Sequence, residues 1–251
     1  MRELFARVTL FFIIFSLFAV TGQSQIWKLR RYEMSGGVGI VNYFGDIGGY
    51  SPGENLLGLK DLSLNSTRPM LYFGMRYKLY EISWLNFNLV FGGLHGSDIG
   101  GVNDKRGIIF RSFLVEPSLR YEQAIINGRS NQSYLMMKGR DITSFTNRVS
   151  VYVFAGLGAA IFNVRSIEDP FNRMKTGTKG TLSIPVGAAL RFTFDPNWDV
   201  GFEIGPHFTL TDYADGFSSQ YSKFNDVCLL TNVHVIWKLR TSRKNLPIFR
   251  L

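Results

Sequence analysis

The side chains best suited to chemistry in this chain are few and scattered. Its three histidines, His95, His207 and His234, share no spacing at which imidazoles on one element converge on a metal ion. His95, Ser97, Asp98 and Asp212 are of the types that a hydrolase uses as base, nucleophile and orienting acid. The alternation around His95 turns its side chain toward the apolar face at a strand end, which is a poor place for a triad. Asp46, Asp212 and Asp215 are the acids that would have to meet to hold a divalent cation between loops, and two or three carboxylates make a weak claim to such a site. The single cysteine, Cys228, can form no internal disulfide and reads as a small packed side chain. The glycines recur with a period of two rather than in a phosphate-cradling loop. The expectation is a chain that is not an enzyme, with no catalytic residue, no cofactor and no metal.

The elements that carry these residues are strands. Apolar and polar residues alternate over roughly ten residues, about eight times, as they do when lipid lies on one side of a strand and a barrel lumen on the other. Leu71, Phe73, Met75, Tyr77 and Leu79 stand on one face of such a segment, against Tyr72, Gly74, Arg76 and Lys78 on the other. Strands are read near 33–43, 69–80, 84–94, 110–122, 149–162, 182–194, 199–210 and 227–239. Segments 81–83 and 195–198 are short turns, while 44–68, 95–109, 163–181 and 211–226 are long and belong at the external end. The exception is 123–148, a long connection at the periplasmic end, rich in Asn, Ser and Gly, which is either disordered or a partner-binding element.

The fold class that follows is all-β, an eight-stranded antiparallel transmembrane β-barrel of the OmpA or OmpW kind. Arg2 and Arg7 followed by the apolar stretch Val8 to Val20 read as a signal peptide cleaved after Ser24. The expected organisation is a signal peptide over 1–24, a periplasmic segment over 25–32, the barrel over 33–239 and a basic periplasmic tail over 240–251. The net charge of +9 is placed where such a barrel would put it, and export argues against nucleic acid as its partner. Lys28, Arg30 and Arg31 precede the first strand, and Lys238, Arg240, Arg243 and Lys244 lie at or beyond the end of the last. These seven are candidate docking residues for a periplasmic partner, or solvated charge near anionic headgroups.

A barrel of eight strands is filled by side chains rather than hollow. Arg76, Glu116, Arg120, Arg191 and Glu203, with Lys78 and Glu122, fall on the inward face and should pair across the lumen, because unpaired buried charge is costly. Pro117, Pro185 and Pro206 fall inside strands, and bulges are expected there because a closed barrel has no free edge to absorb a missing donor.

Four stretches are more specific than the alternation. They are Gly39-Ile-Val-Asn-Tyr-Phe-Gly-Asp46, Ser112-Phe-Leu-Val-Glu-Pro-Ser-Leu-Arg-Tyr-Glu122, Pro185-Val-Gly187, and Phe202-Glu-Ile-Gly205 with Leu210-Thr-Asp-Tyr-Ala-Asp215. Together they resemble the PorG-like outer-membrane barrels of Bacteroidetes over about residues 33–239. The positions that carry the resemblance are Asn42, Tyr43, Gly45 and Asp46, and Thr211, Asp212, Tyr213 and Asp215. Asn and Asp at such places also shape turns through side-chain to backbone bonds. Ala214 and His207 depart from the residues usual in that family. The resemblance implies a barrel of the type IX protein secretion machinery that ties a periplasmic ring of PorK-like and PorN-like proteins to the outer membrane, with outer-membrane lipid as its other partner and no small-molecule substrate. Two further readings stand beside it: an autonomous OmpA/OmpW-like barrel for membrane integrity or passage of small hydrophobic solutes, and a lipid-modifying barrel enzyme.

Overall fold

A computed structural model describes residues 30–45, 47–48, 66–100, 104–128, 149–170, 174–195, 197–211, 213–217, 225–242 and 246–249. The expected leader, residues 129–148 of the long connection, and Lys28, Asp46, Asp212, Arg243 and Lys244 lie outside the described residues.

The alternating segments all form strands. They are β1 (Tyr32–Phe44), β2 (Arg68–Tyr80), β3 (Ser83–Ser97), β4 (Ile109–Ile126), β5 (Val149–Glu168), β6 (Gly177–Asp195), β7 (Trp198–Thr209) and β8 (Val227–Thr241), followed by a two-residue β9 (Pro247–Ile248). Each strand pairs antiparallel with the next, and β1 closes on β8 from Tyr32 opposite Leu239 to Phe44 opposite Val227. Closure satisfies the backbone of every strand from its neighbours, which is the condition for crossing hydrocarbon with strands.

The outward set is Leu71, Phe73 and Met75 on β2, Phe87 on β3, Phe113 and Leu119 on β4, Leu157 on β5 and Leu190 on β6, all solvent-facing, with Leu157 68% and Leu119 49% exposed. A continuous belt of this size would drive association in water; in a bilayer it meets hydrocarbon. From Phe113 to Gln123 the belt on β4 spans ten residue steps, roughly 33 Å of strand and about 25 Å along the membrane normal at the usual tilt. This is an outer-membrane barrel. Its β5 and β6 rise past the belt at the long-loop end, pairing as far as Val164 opposite Gly177.

The expected bulges at the prolines do not occur. Pro117 stays in register opposite Leu89, Pro185 opposite His207 and Pro206 opposite Leu229. Each proline instead leaves a short lapse in the pairing on its other side, between Val115 and Ser118 against β5, between Ala155 and Gly158 against β6, and between Pro185 and Ala188 against β7. One missing N–H removes one ladder bond, and the pairs on either side hold the register, so no extra residue is needed. The register shifts fall at strand ends, at Lys78/Tyr80, Ile109/Phe110, Ala124/Ile126 and Thr193/Asp195.

The glycines of β1 have a packing cause. A Cβ on Gly39 would lie 2.7 Å from Cβ of Asn232, and one on Gly37 would meet the His234 backbone at 2.6 Å. Side chains of β8 occupy the space that β1 leaves.

Candidate functional site

The lumen has two chemically different halves. The half toward the short turns is ionic. Glu33 on β1 accepts hydrogen bonds from Arg76 Nη1 at 3.2 Å and Arg191 Nη1 at 3.1 Å. Glu122 on β4 takes Arg191 at 3.3 Å and is also paired with Arg76. Arg120 and Glu203 form a bidentate pair, one arm of it 3.0 Å long. Asp199 pairs with Lys238 at 2.6 Å. Each arginine also lies over aromatic faces: Arg191 is 4.2 Å from the Tyr152 ring centroid, and Arg120 is 4.2 Å from that of Phe154. The buried cations Arg76, Lys78, Arg120, Arg191 and Lys238 are matched by Glu33, Glu116, Glu122, Asp199 and Glu203. That balance is what makes their burial tolerable.

Glu116 stands apart from the arginine cluster in its bonding. It accepts from the Ser183 hydroxyl at 2.7 Å, and His207 Nδ1 lies 2.8 Å and 3.0 Å from its two oxygens. With Glu between Ser and His, the order of a catalytic triad is not met, because the hydroxyl donates to the acid rather than to imidazole. His234 is held by Asn232 at 2.6 Å and lies against the Tyr72 ring.

The half toward the long loops is apolar. Val41, Met70, Val90, Leu94, Phe110, Leu114, Phe162, Val164, Cys228 and Leu230 form one buried cluster inside the barrel. The inward parity thus carries large hydrophobic side chains as well as charges, and the lumen is stoppered by packing at one end and by ion pairs at the other.

The two resemblance segments meet above this cluster. Tyr43 donates its hydroxyl to Asp226 Oδ1 at 2.6 Å, and Asp226 Oδ2 accepts the Ala214 N–H at 2.8 Å. Asn42 accepts from the Thr67 hydroxyl at 2.6 Å. Gly45 is confined by the Tyr43 hydroxyl and by Asp226, which a Cβ there would strike. The Thr211 carbonyl accepts the Asp226 N–H at 3.2 Å. Asp215, fully buried, accepts the Phe217 N–H at 2.8 Å. Tyr213 carries Lys179 over its ring at 4.4 Å. Asp226 and Asp215 shape the mouth of the barrel by capping backbone N–H groups.

The rim set His95, Ser97 and Asp98 does not assemble. His95 Nδ1 donates to the Phe110 carbonyl at 2.8 Å, which fixes its tautomer, and Asp98 is clamped by Arg106 at 2.7 and 2.9 Å. Asp98 also takes the Gly48 N–H at 3.1 Å and so secures the β3–β4 loop.

The candidate docking residues divide. Lys238 is the correction: its inward parity puts it inside the barrel on Asp199, only 7% exposed, so it is not a docking group. Arg31 donates to the Tyr77 hydroxyl at 2.8 Å and, through its backbone N–H, to Thr241 Oγ1 at 3.0 Å. Arg30 lies near Arg240, whose charge bears on it, and Arg240 is exposed on β8 opposite Ile248. Glu33, Asp199 and Asp226 were missed from sequence. Period-two parity would have found the first two; Asp226 precedes its strand and gives no such signal.

No protein-family profile and no curated protein matches the sequence. Among solved structures, the chain is similar to Neisserial surface protein A, at 11% identity over 82% of this chain and 96% of that one, with a TM-score of 0.44. It is similar to Ail, the attachment invasion locus protein of Yersinia pestis, at 15% identity over 83% and 97%, with a TM-score of 0.42. It is similar to a major outer membrane protein from Thermus thermophilus, at 14% identity over 82% and 99%, with a TM-score of 0.43. The likeness is one of architecture.

Proposed function

We propose that this chain is a non-enzymatic outer-membrane anchor within the type IX protein secretion machinery, holding a periplasmic ring of PorK-like and PorN-like proteins through its short-turn end. The observation that carries the reading is the filled lumen: ion pairs from Glu33 to Glu203 at one end and the apolar cluster around Leu94 and Phe110 at the other. A barrel packed in this way does its work at its ends. The short-turn end gathers Arg30, Arg31 and Arg240 beside the β8–β9 hairpin, where Leu246, Ile248 and Phe249 are exposed. Cationic and apolar side chains together are the surface a protein partner can desolvate. The choice of secretion machinery rests on the resemblance of residues 39–46, 112–122, 185–187 and 202–215.

The test is gentle purification of the tagged protein from native outer membranes, with crosslinking and mass spectrometry. Periplasmic ring proteins at near-stoichiometric levels support the anchor reading. Recovery of the barrel alone, even after crosslinking, overturns it.

A second reading has its own observation. The inward cluster of the long-loop half is apolar, so an autonomous barrel could admit a small hydrophobic solute there only by repacking it. Uptake of such a solute into vesicles carrying the purified barrel would favour it.

A further inference from the structure

Just above the lipid belt, the outward face of the barrel carries a row of bases. His95 on β3 stands directly opposite Arg111 on β4, and Arg111 directly opposite Arg165 on β5. Arg68 joins them from β2: its aliphatic stem crosses Gly93, where a Cβ would lie 3.3 Å from Arg68 Cβ. Its charge bears on Arg111, and both bear on His95. Directly opposed like charges are unfavourable in a sheet. Among the described residues, neither Arg111 nor Arg165 makes an ion pair, and both are exposed. The nearest acid on these strands is Glu168, opposite Ile109, and it pairs with neither. Among the described residues no acid answers the row, and an anion from outside the chain would.

Its height says which anion. Phe113, half exposed, is the outward residue next below Arg111. Two residues of tilted strand are about 5 Å along the membrane normal. The row therefore sits in the headgroup layer at the long-loop end, immediately over the hydrocarbon. Guanidinium groups there present paired donors of the kind that hold phosphate oxygens in two places at once.

We propose that Arg111 and Arg165, with Arg68 folded against them and His95 beside them, its Nδ1–H spent on the Phe110 carbonyl, form a docking surface for the phosphate groups of an anionic lipid in the leaflet at the long-loop end. The assignment of that leaflet as the external one rests on the reading that the long loops face outward.

The experiment is a titration of the purified barrel in neutral detergent with bisphosphorylated lipid A, followed by native mass spectrometry. The same lipid with its phosphates removed is the second arm, and inorganic phosphate and a soluble sulfated polysaccharide are competitors. The test variant is Arg111→Gln/Arg165→Gln, which relieves repulsion and buries nothing, so its heat-modifiable mobility should match the parent. Lys105→Gln, an exposed base off the row, is the charge control. Binding should weaken about fivefold for each arginine removed, on the order of twentyfold in the double variant, and be unchanged in the control. Equal binding of the dephosphorylated lipid, full affinity in the double variant, an equal loss in Lys105→Gln, or complete displacement by the soluble anions would overturn the proposal. Labelling of Lys105→Cys by an impermeant reagent in intact cells tests the orientation separately. A label that enters only after lysis overturns the external leaflet, and the titration still decides whether phosphate is recognised.

Discussion

Tyr43 and Asp226 are joined by a 2.6 Å hydrogen bond from phenol to carboxylate, both groups buried, which fastens the end of β1 to the approach of β8. Asp226 also holds the Ala214 N–H, so one carboxylate organises both stretches of the family resemblance at the barrel mouth. Tyr43→Phe keeps the ring and its edge contact with Phe110 but strips a donor from a buried acid. The expected cost is about 1–3 kcal/mol. It should appear as a lower unfolding midpoint and faster proteolysis between 211 and 226, with the barrel still folded. An unchanged proteolysis rate would show that the bond does not order the mouth.

The lumen pair Arg120–Glu203 can be tested by breaking it and by replacing it. Glu203→Gln leaves Arg120 inside the barrel with only its longer, 3.7 Å contact to Glu122, and removing one partner of a buried pair costs on the order of 3–5 kcal/mol. Arg120→Met/Glu203→Met removes both charges and should recover most of that loss. The measurement is denaturant unfolding of the folded barrel in vesicles. If the double variant is as unstable as the single one, the pair is more than a mutual cancellation of charge.

What was legible in the sequence was parity. A side-chain period of two survives any tilt or curvature of the sheet, so Arg76, Glu116, Arg120, Arg191 and Glu203 were placed on the inward face, and Leu119 and Phe87 on the lipid face, from alternation alone. Parity says nothing of what a chain does off the strand, so Asp226 and its hold on Tyr43 were invisible. Parity puts Leu94 and Phe110 on the face opposite Phe91 and Phe113, but the inward face was expected to be polar, and residue type gives no sign of an apolar stretch on it. The apolar half of the lumen was missed for that reason. Lys238 was read both as an inward position of β8 and as the first residue of a basic run, and its ion pair with Asp199 keeps only the first of these. The prolines misled because a lost donor was taken to require an extra residue, where neighbouring pairs suffice.

The belt predicts its own mutational profile. Leu119 lies near the middle of the lipid-facing stretch of β4, and Leu119→Arg should destabilise the barrel by about 2–4 kcal/mol in a bilayer. Ser166→Arg, on the part of β5 that rises above the belt, should cost close to nothing. Unfolding in vesicles reads both, and equal effects at the two positions would move the belt from where Phe113 and Gln123 bound it.

A filled lumen should be electrically silent. With Glu33, Glu122, Arg76 and Arg191 interlocked across four strands, an ion has no continuous water path unless several charged bonds break together. Planar bilayers containing the purified barrel should show no steady conductance. Regular unitary steps that persist after repurification would mean that the interlock opens, and would favour the autonomous-barrel reading over the anchor.

The short-turn end carries the last prediction, and the structure moves its boundary. Thr241 accepts the Arg31 N–H, so cutting before residue 242 retains β8 and its tie to the N-terminal segment, whereas cutting at 240 removes both Arg240 and that tie. Deleting 242–251 should leave the barrel folded, with unaltered heat-modifiable mobility, because among the described residues β9 pairs only with Arg240 and Thr241. It removes the exposed Leu246, Ile248 and Phe249. If these form part of a partner surface, co-purification with periplasmic proteins should fall several-fold, and Arg30→Gln/Arg240→Gln should lower it further in the full-length chain. Undiminished co-purification of the truncated barrel would remove the tail from the docking surface and leave Arg30, Arg31 and the connection between β4 and β5 as the places to look.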